Sequence, residues 1–134
     1  MANQSSRPKS SRPICDYENS KYQTDFWEHG NREYEDRVER IALQNLIPKT
    51  GKRCLEIGAG AGRLTNELNN IDNIVLLDYS KTQLKQAQSL LGNCSKYTFV
   101  AADAYKLPFV DCAFDVALMV RVIHHLTDPQ YVLS

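Results

Sequence analysis

The sequence lacks the features that mark membrane-spanning, exported and disulfide-bonded proteins. Its 134 residues contain no apolar run of about 18 residues, and no apolar signal-peptide core occurs at the N-terminus. The four cysteines form no C-x-x-C pair, which argues against a zinc site or a disulfide framework. We therefore predict a cytoplasmic protein with no bound metal and no membrane contact.

The sequence also has no surplus of charge. Sixteen Lys and Arg residues balance 16 Asp and Glu residues, so the formal charge is zero. Such a chain has no general attraction for nucleic acid, and we predict no nucleic-acid partner. The polar segment 1–13 has too few apolar side chains to fold by itself, so we expect it to be a disordered tail.

The chain is organised around a glycine-rich turn. The apolar segment 53–57 before the turn predicts a buried strand, and two leucines four residues apart after it predict a helix. The glycines at alternate positions, Gly58, Gly60 and Gly62, let the main chain approach a ligand closely. Together these features predict a nucleotide-binding turn, although a tight corner without a ligand would show the same pattern.

The glycine spacing distinguishes between two kinds of nucleotide. A dinucleotide-binding turn follows G-x-G-x-x-G, and its third glycine would fall on Arg63. Here the third glycine comes one position earlier and Glu56 precedes the run, which gives E-x-G-x-G-x-G. This pattern resembles motif I of the class I S-adenosylmethionine-dependent methyltransferases.

The rest of the pattern predicts an α/β protein with a parallel sheet. Strands and helices alternate, as they do in sheets built from right-handed crossovers. Strands are predicted at 53–57, 73–77, 97–101 and 114–120, and helices at 31–47, from Ser80 to Gly92 and from Asp128 onward.

Two of the predicted helices carry apolar stripes. In helix 31–47, opposite charges four residues apart, among them Asp36 and Arg40, are expected on the solvated face. The stripe expected to be buried consists of Tyr34, Val38, Ile41, Ala42 and Leu46. In the next helix, Ser80 and Gln83 form a predicted capping box. Its expected inner stripe is Leu84, Ala87, Gln88 and Leu91.

Acidic and basic residues follow the predicted strands where a parallel sheet binds ligands, at the carboxyl ends. Asp78 follows the second strand, Asp103 the third and Arg121 the fourth. A carboxylate at position 78 accepts hydrogen bonds from both hydroxyls of a ribose. A helix cap would also explain Asp78, and an ordinary loop position would explain Asp103.

Three further segments carry the resemblance. Segments 76–80, 102–109 and 114–126 resemble motifs II, III and IV of the same methyltransferases, and most closely those of the small-molecule branch (type 11-like). The resemblance covers 31–134 and implies a Rossmann-like, doubly wound parallel sheet. Four of the seven family strands would be present, in the order 3-2-1-4, so the fold is expected to be truncated. We predict a helical cap at 14–50 and an incomplete cofactor domain at 51–134.

The resemblance implies S-adenosylmethionine as the cofactor. Glu56 would hold its amino group, Asp78 its ribose hydroxyls and Asp103 its adenine amino group. The full predicted site comprises Glu56, Gly58, Ala59, Gly60, Gly62, Asp78, Tyr79, Asp103, Ala104, Val120 and Arg121.

The catalytic residues are less defined. Methyl transfer needs a general base only when the acceptor must lose a proton, and His124 and His125 are candidates beside a structural role at a helix start. Arg121 would pair with a substrate anion, or neutralise Asp115 or Glu56. The aromatic residues between 14 and 30 would either form a lid over a cation or cover the domain edge: Tyr17, Tyr22, Phe26 and Trp27.

The sequence of the loop after the fourth strand narrows the class of methyl acceptor. It lacks the Pro-Pro-aromatic, Pro-Cys and paired-glutamate patterns of enzymes that methylate nucleic-acid bases or arginine, so the resemblance implies a small-molecule acceptor. The alternative is an inactive S-adenosylmethionine-binding module that a second chain completes along the fourth strand. A nicotinamide-dependent oxidoreductase is disfavoured, because Arg63 stands where its glycine should be.

Overall fold

A computed structural model describes residues 18–28 and 30–134 of the chain. Its four parallel strands are β1 (Gly51–Ile57), β2 (Ile71–Asp78), β3 (Tyr97–Ala101) and β4 (Val116–Met119), in the order β3-β2-β1-β4. The predicted Rossmann-like order is therefore confirmed. Strand β2 begins and ends beyond its predicted bounds, whereas β4 is shorter than predicted. The predicted tail, Tyr17 and His29 lie outside the described residues.

The helices are α1 (Glu33–Leu46), α2 (Lys81–Leu91) and α3 (Pro129–Leu133). Shorter helical segments lie at Gln23–Glu28, which is a π-helix, and at Thr65–Leu68 and Ile123–His125, which are 3₁₀ turns. Where a helix was predicted after the glycine turn, only the 3₁₀ turn Thr65–Leu68 forms, and β2 begins three residues later at Ile71.

The core lies on both faces of the two central strands. Cys54, Ile74 and Leu76 have no more than trace exposure and pack with Leu84 and Ala87 of α2 on one face. On the other face, apolar side chains of β1 and β2 pack against residues that include Phe109 and Phe114. Central parallel strands that are covered on both faces have nearly continuous apolar sequences, as β1 and β2 do. The carboxyl ends of these strands border the site described below.

Helix α1 packs in the orientation opposite to the predicted one. Tyr34 and Leu46 of the expected inner stripe are each 78% exposed, and Leu43 is the buried residue of this helix. The charged face points inward because the neighbouring loop carries matching charges. Arg40 donates to Glu67 at 2.8 Å and to the Arg63 carbonyl at 3.0 Å. The expectation of a solvated surface was therefore wrong for Asp36 and Arg40.

The ends of α2 and α3 are set largely as predicted. The Ser80 hydroxyl accepts from the Gln83 N–H at 3.2 Å, and Gly92 ends α2 with a φ of 79°. The capping box is only half formed, because the Ser80 N–H donates to Asp78 at 2.8 Å instead of to Gln83. Gln88 was wrongly placed in the inner stripe, since it is exposed and donates to Asn93. Helix α3 is capped by Asp128, which accepts from the Tyr131 N–H.

Candidate functional site

A cavity of about 170 Å³ opens at the carboxyl ends of β1, β2 and β4. It brings together ten of the eleven residues predicted for the cofactor site, and His125 joins them. The exceptions among the predicted residues are Gly62 and His124, which do not line it. The ten lining residues are Glu56, Gly58, Ala59, Gly60, Asp78, Tyr79, Asp103, Ala104, Val120 and Arg121.

The glycines of the turn serve different purposes. Gly58 has a φ of 69°, and a Cβ there would lie 2.2 Å from the Val122 side chain, so only glycine fits against the loop after β4. Gly60 also has a positive φ, of 56°, but the nearest atom to its would-be Cβ is 3.7 Å away. A Cβ at Gly60 would therefore contact Gln83 without a clash, and Gly60 itself lines the cavity. Gly62 instead faces α2, because a Cβ there would lie 3.2 Å from side-chain atoms of Ala87 and Leu91.

The Asp78 carboxylate holds the glycine turn in place by accepting two backbone hydrogen bonds. One oxygen accepts from the Gly60 N–H at 2.8 Å and the other accepts from the Ser80 N–H at 2.8 Å. These bonds tie the glycine turn to the start of α2 and set the orientation of the carboxylate. Each carboxylate oxygen has two lone pairs, so these two bonds do not by themselves use the whole acceptor capacity of Asp78.

Glu56 is a buried acid that lines the cavity. It is 5% exposed, and one oxygen accepts a hydrogen bond from the Thr65 hydroxyl at 2.7 Å. Burial raises its pKa to about 7, against smaller opposing effects of Thr65 and Arg63. An acid of this kind changes its protonation state near neutral pH, and a ligand cation in the cavity would favour its ionised form.

The loop after β3 forms a third wall of the cavity. Asp103 is half-buried, and its carboxylate accepts from the Tyr105 N–H at 2.9 Å. Tyr79, which follows β2, also lines the cavity and keeps 45% of its surface exposed.

Arg121 is held by a residue that the sequence reasoning missed. Its guanidinium pairs with Glu39 of α1, which also pairs with Arg63. Pairing with Glu56 or Asp115 was expected among the alternatives. Asp115 instead accepts from the Lys52 and Arg53 N–H groups at the start of β1. No sequence signal pointed to Glu39, because its partners are 24 and 82 residues away.

The aromatic segment 18–28 borders the same cavity. Tyr22, Gln23 and Trp27 line it, whereas Phe26 does not and stacks on Tyr22 at 5.0 Å. The Trp27 ring lies 3.5 Å from the Arg63 guanidinium and 5.1 Å from that of Arg121. Tyr22 and Trp27 thus border the cavity and Phe26 does not, and the Trp27 face is already occupied by arginine.

The two adjacent histidines have different environments. His125 lines the cavity, while His124 is exposed, and their ring centroids are 3.9 Å apart. Burial, followed by the effect of His124, lowers the pKa of His125. His125 is thus the histidine that faces the cavity as a neutral base near pH 7.

Gln83 of α2 also lines the cavity and was assigned from the sequence only to the capping box. It is 2% exposed, and neither polar atom of its carboxamide has a hydrogen-bond partner among the described residues.

The described part of the chain contains no cluster of three His, Cys, Asp or Glu side chains arranged to hold a metal. Nor does that part contain a helix with the length and apolarity needed to cross a membrane.

Comparison with known proteins identifies the family. Residues 55–134, more than half of the chain, match the methyltransferase domain family. The chain belongs to the S-adenosylmethionine-dependent methyltransferases. The predicted family is thereby confirmed, and S-adenosylmethionine is its cofactor.

Relatives of this chain act at different atoms, as their names state. The ubiquinone/menaquinone biosynthesis C-methyltransferase UbiE of Pseudomonas savastanoi is 35% identical over 100 residues, which cover 67% of this chain and 39% of that protein. The O-methyltransferase cnsE of Penicillium expansum is 32% identical over 104 residues, covering 74% of this chain and 38% of that protein. The chain thus spans about two fifths of the length of these relatives.

A solved structure supports the fold. Phosphoethanolamine N-methyltransferase 1 of Haemonchus contortus, in complex with phosphoethanolamine and S-adenosylhomocysteine, superposes with a TM-score of 0.67 at 20% identity. The match covers 73% of this chain and 22% of that one. At such low identity, this likeness bears on the fold alone.

Proposed function

We propose that this protein transfers a methyl group from S-adenosylmethionine to a small-molecule acceptor. The observation that carries the proposal is the cavity that Gly60 lines together with two acids, Glu56 and Asp78. A ligand with a cationic amino group at one end and a sugar diol further along fits those two acids. A pyrophosphate fits them poorly, because both acids would repel it.

We propose individual roles for the lining residues on the same basis. Asp78 accepts hydrogen bonds from the ribose hydroxyls, and Asp103 accepts one from the adenine amino group. Glu56 holds the amino group of the methionine moiety, and the backbone of Gly58 and Gly60 lies along it. Val120 and Arg121 border the end of the cavity where the acceptor approaches.

The cofactor supplies a methyl group on a positively charged sulfur. The residues of the chain need only align the acceptor with that group and exclude water, and such alignment contributes about 7–11 kcal/mol. Where an acceptor must lose a proton, we propose His125 as the base, because it faces the cavity and its pKa is lowered.

The alternative is an S-adenosylmethionine-binding module that needs a partner chain. Strand β4 supports it, because within the described residues β4 pairs only with β1 and its outer edge is open. We also propose a cytoplasmic location, which the free thiols of Cys54, Cys94 and Cys112 favour.

Calorimetric titration tests the cofactor site. We expect S-adenosylhomocysteine to bind and NAD not to bind. Asp78→Ala should weaken binding ten- to a hundredfold, about 1.5–3 kcal/mol, because the diol loses its acceptors. Asp72→Ala, an exposed change at the other end of β2, is the control. Binding of NAD in preference, or unchanged affinity in Asp78→Ala, would contradict the proposed site.

Turnover separates the two candidate functions. The protein is mixed with S-adenosylmethionine and a panel of phenol, quinol, amine and carboxylate acceptors, and S-adenosylhomocysteine is measured. Acceptor-dependent product supports the enzyme. Cofactor binding without product for any acceptor supports the module that needs a partner chain.

A further inference from the structure

The carboxamide of Gln83 stands out among the buried polar groups of the protein. Its two polar atoms have no partner among the described residues, and the side chain lines the cavity. Its Oε1 lies 3.7 Å from the point where a Cβ on Gly60 would stand. A buried amide with both an unused donor and an unused acceptor is unfavourable for folding, so such groups are rare without a functional reason.

The surroundings of Gln83 indicate which ligand group it meets. Gly60 is a neighbour of both Asp78 and Gln83. Its N–H donates to the Asp78 carboxylate at 2.8 Å, and a Cβ on it would contact Gln83 Oε1. All three residues line the cavity, so one ligand can reach both side chains. The backbone of Gln83 is already engaged in capping α2, which leaves the side chain as the group available to a ligand.

We infer that Gln83 is a ligand-binding residue whose carboxamide hydrogen-bonds the sugar hydroxyls of the bound nucleoside beside Asp78. The inference rests on the proposed function. A carboxylate only accepts hydrogen bonds, so a hydroxyl that donates to Asp78 keeps its own lone pairs unsatisfied. The Gln83 amide supplies the missing N–H donor, and its carbonyl oxygen accepts from a second hydroxyl. Together, the Asp78 and Gln83 side chains can satisfy the hydrogen-bonding groups of both hydroxyls of a diol.

The inference has a consequence for the free protein that a purely structural glutamine would not share. Replacing Gln83 with methionine keeps the length of the side chain and removes two unsatisfied polar atoms from the interior. We expect Gln83→Met to raise the Tm of the ligand-free protein. The same change should weaken S-adenosylhomocysteine binding roughly five- to tenfold, because hydrogen bonds to the sugar are lost.

The experiment measures Tm and S-adenosylhomocysteine affinity for the full-length protein, Gln83→Met and Gln86→Met. Gln86 is exposed on the same helix, so its variant should match the wild type in both. Equal affinity of Gln83→Met and wild type would overturn the inference and leave the proposed function standing. Failure of the wild type to bind S-adenosylhomocysteine would overturn the proposed function itself.

A second measurement needs no variant. In the ¹⁵N-labelled wild-type protein, the side-chain amide signals of Gln83 should shift when S-adenosylhomocysteine is added. They should shift less with the 2′,3′-dideoxy analogue, which lacks the diol. Unmoved Gln83 signals at saturation with S-adenosylhomocysteine would overturn the inference even if Gln83→Met failed to fold.

Discussion

Glu56 makes the stability of the protein depend on pH near neutrality. Because its folded pKa is raised to about 7 from 4.5, it stabilises the fold fully below pH 4.5. That contribution is lost as pH rises through 7. We expect Glu56→Gln to remove this loss, which amounts to about 3 kcal/mol at 1.36 kcal/mol per pKa unit. Urea unfolding at pH 5 and pH 8 measures it. Equal losses in wild type and variant would contradict the raised pKa.

The same residue predicts an opposite pH dependence for binding. A ligand ammonium favours the ionised form of Glu56, so affinity for S-adenosylhomocysteine should rise by up to about tenfold per pH unit below pH 7. Calorimetry at pH 5.5, 6.5 and 7.5 measures this slope, which should be absent in Glu56→Gln. An affinity that is flat over this range would place the ligand amino group away from Glu56.

The glycines of the turn predict unequal costs of substitution. Gly58→Ala combines a positive φ with a contact of 2.2 Å to Val122, whereas Gly60→Ala meets nothing closer than 3.7 Å. We expect about 1–2 kcal/mol of destabilisation for Gly60→Ala from backbone conformation alone, and about 1–3 kcal/mol more for Gly58→Ala from the clash. Denaturant unfolding of both variants checks the order. A Gly60→Ala variant that is the less stable of the two would contradict it.

At the scale of elements, ion pairs with Arg63 and Arg121 hold helix α1 in place. Glu39 sits between Arg63 and Arg121, and its side chain is 19% exposed. We expect Glu39→Gln to lower the free energy of unfolding by about 1–2 kcal/mol, between the values for exposed and buried pairs. Trp27 is the only tryptophan and stacks on Arg63, so its fluorescence should report the loosened contact.

Glu33 of the same helix provides the control. Its side chain is exposed at the first turn of α1, so Glu33→Gln removes a charge without touching the inward face. This variant should change stability by no more than about 0.5 kcal/mol. Equal effects of the two substitutions would show that the net charge of α1, rather than its pairing with Arg63 and Arg121, holds the helix.

At the scale of the whole molecule, the sheet has a protected centre and an open edge. Ile74 and Leu76 of β2 are fully buried and lie between two paired strands, whereas β4 has one neighbour among the described residues and no fully buried side chain. We expect the amides of β2 to exchange with solvent at least about tenfold more slowly than those of β4. Hydrogen exchange followed by NMR measures this. Equal protection of β4 would indicate that another polypeptide covers its edge.

Local patterns predicted the parts of the site that lie within a few residues of one another. Gly58, Gly60 and Asp78 follow strands whose apolar runs are visible in the sequence, whereas the strand order was predicted from the family resemblance. The orientation of α1 was not predictable in this way. Its apolar stripe and its charged stripe are equally regular, and the choice between them depends on Arg63, which is distant in sequence.

The sequence by itself determined the parallel sheet, the family and the residues at the strand ends, because each rests on short-range periodicity or on spacing along one segment. Only the tertiary structure decided that Glu39 holds Arg121, that His125 rather than His124 lines the cavity, and that Gln83 is buried with no hydrogen-bond partner among the described residues. Those facts depend on contacts between side chains far apart in the sequence, which no local pattern encodes.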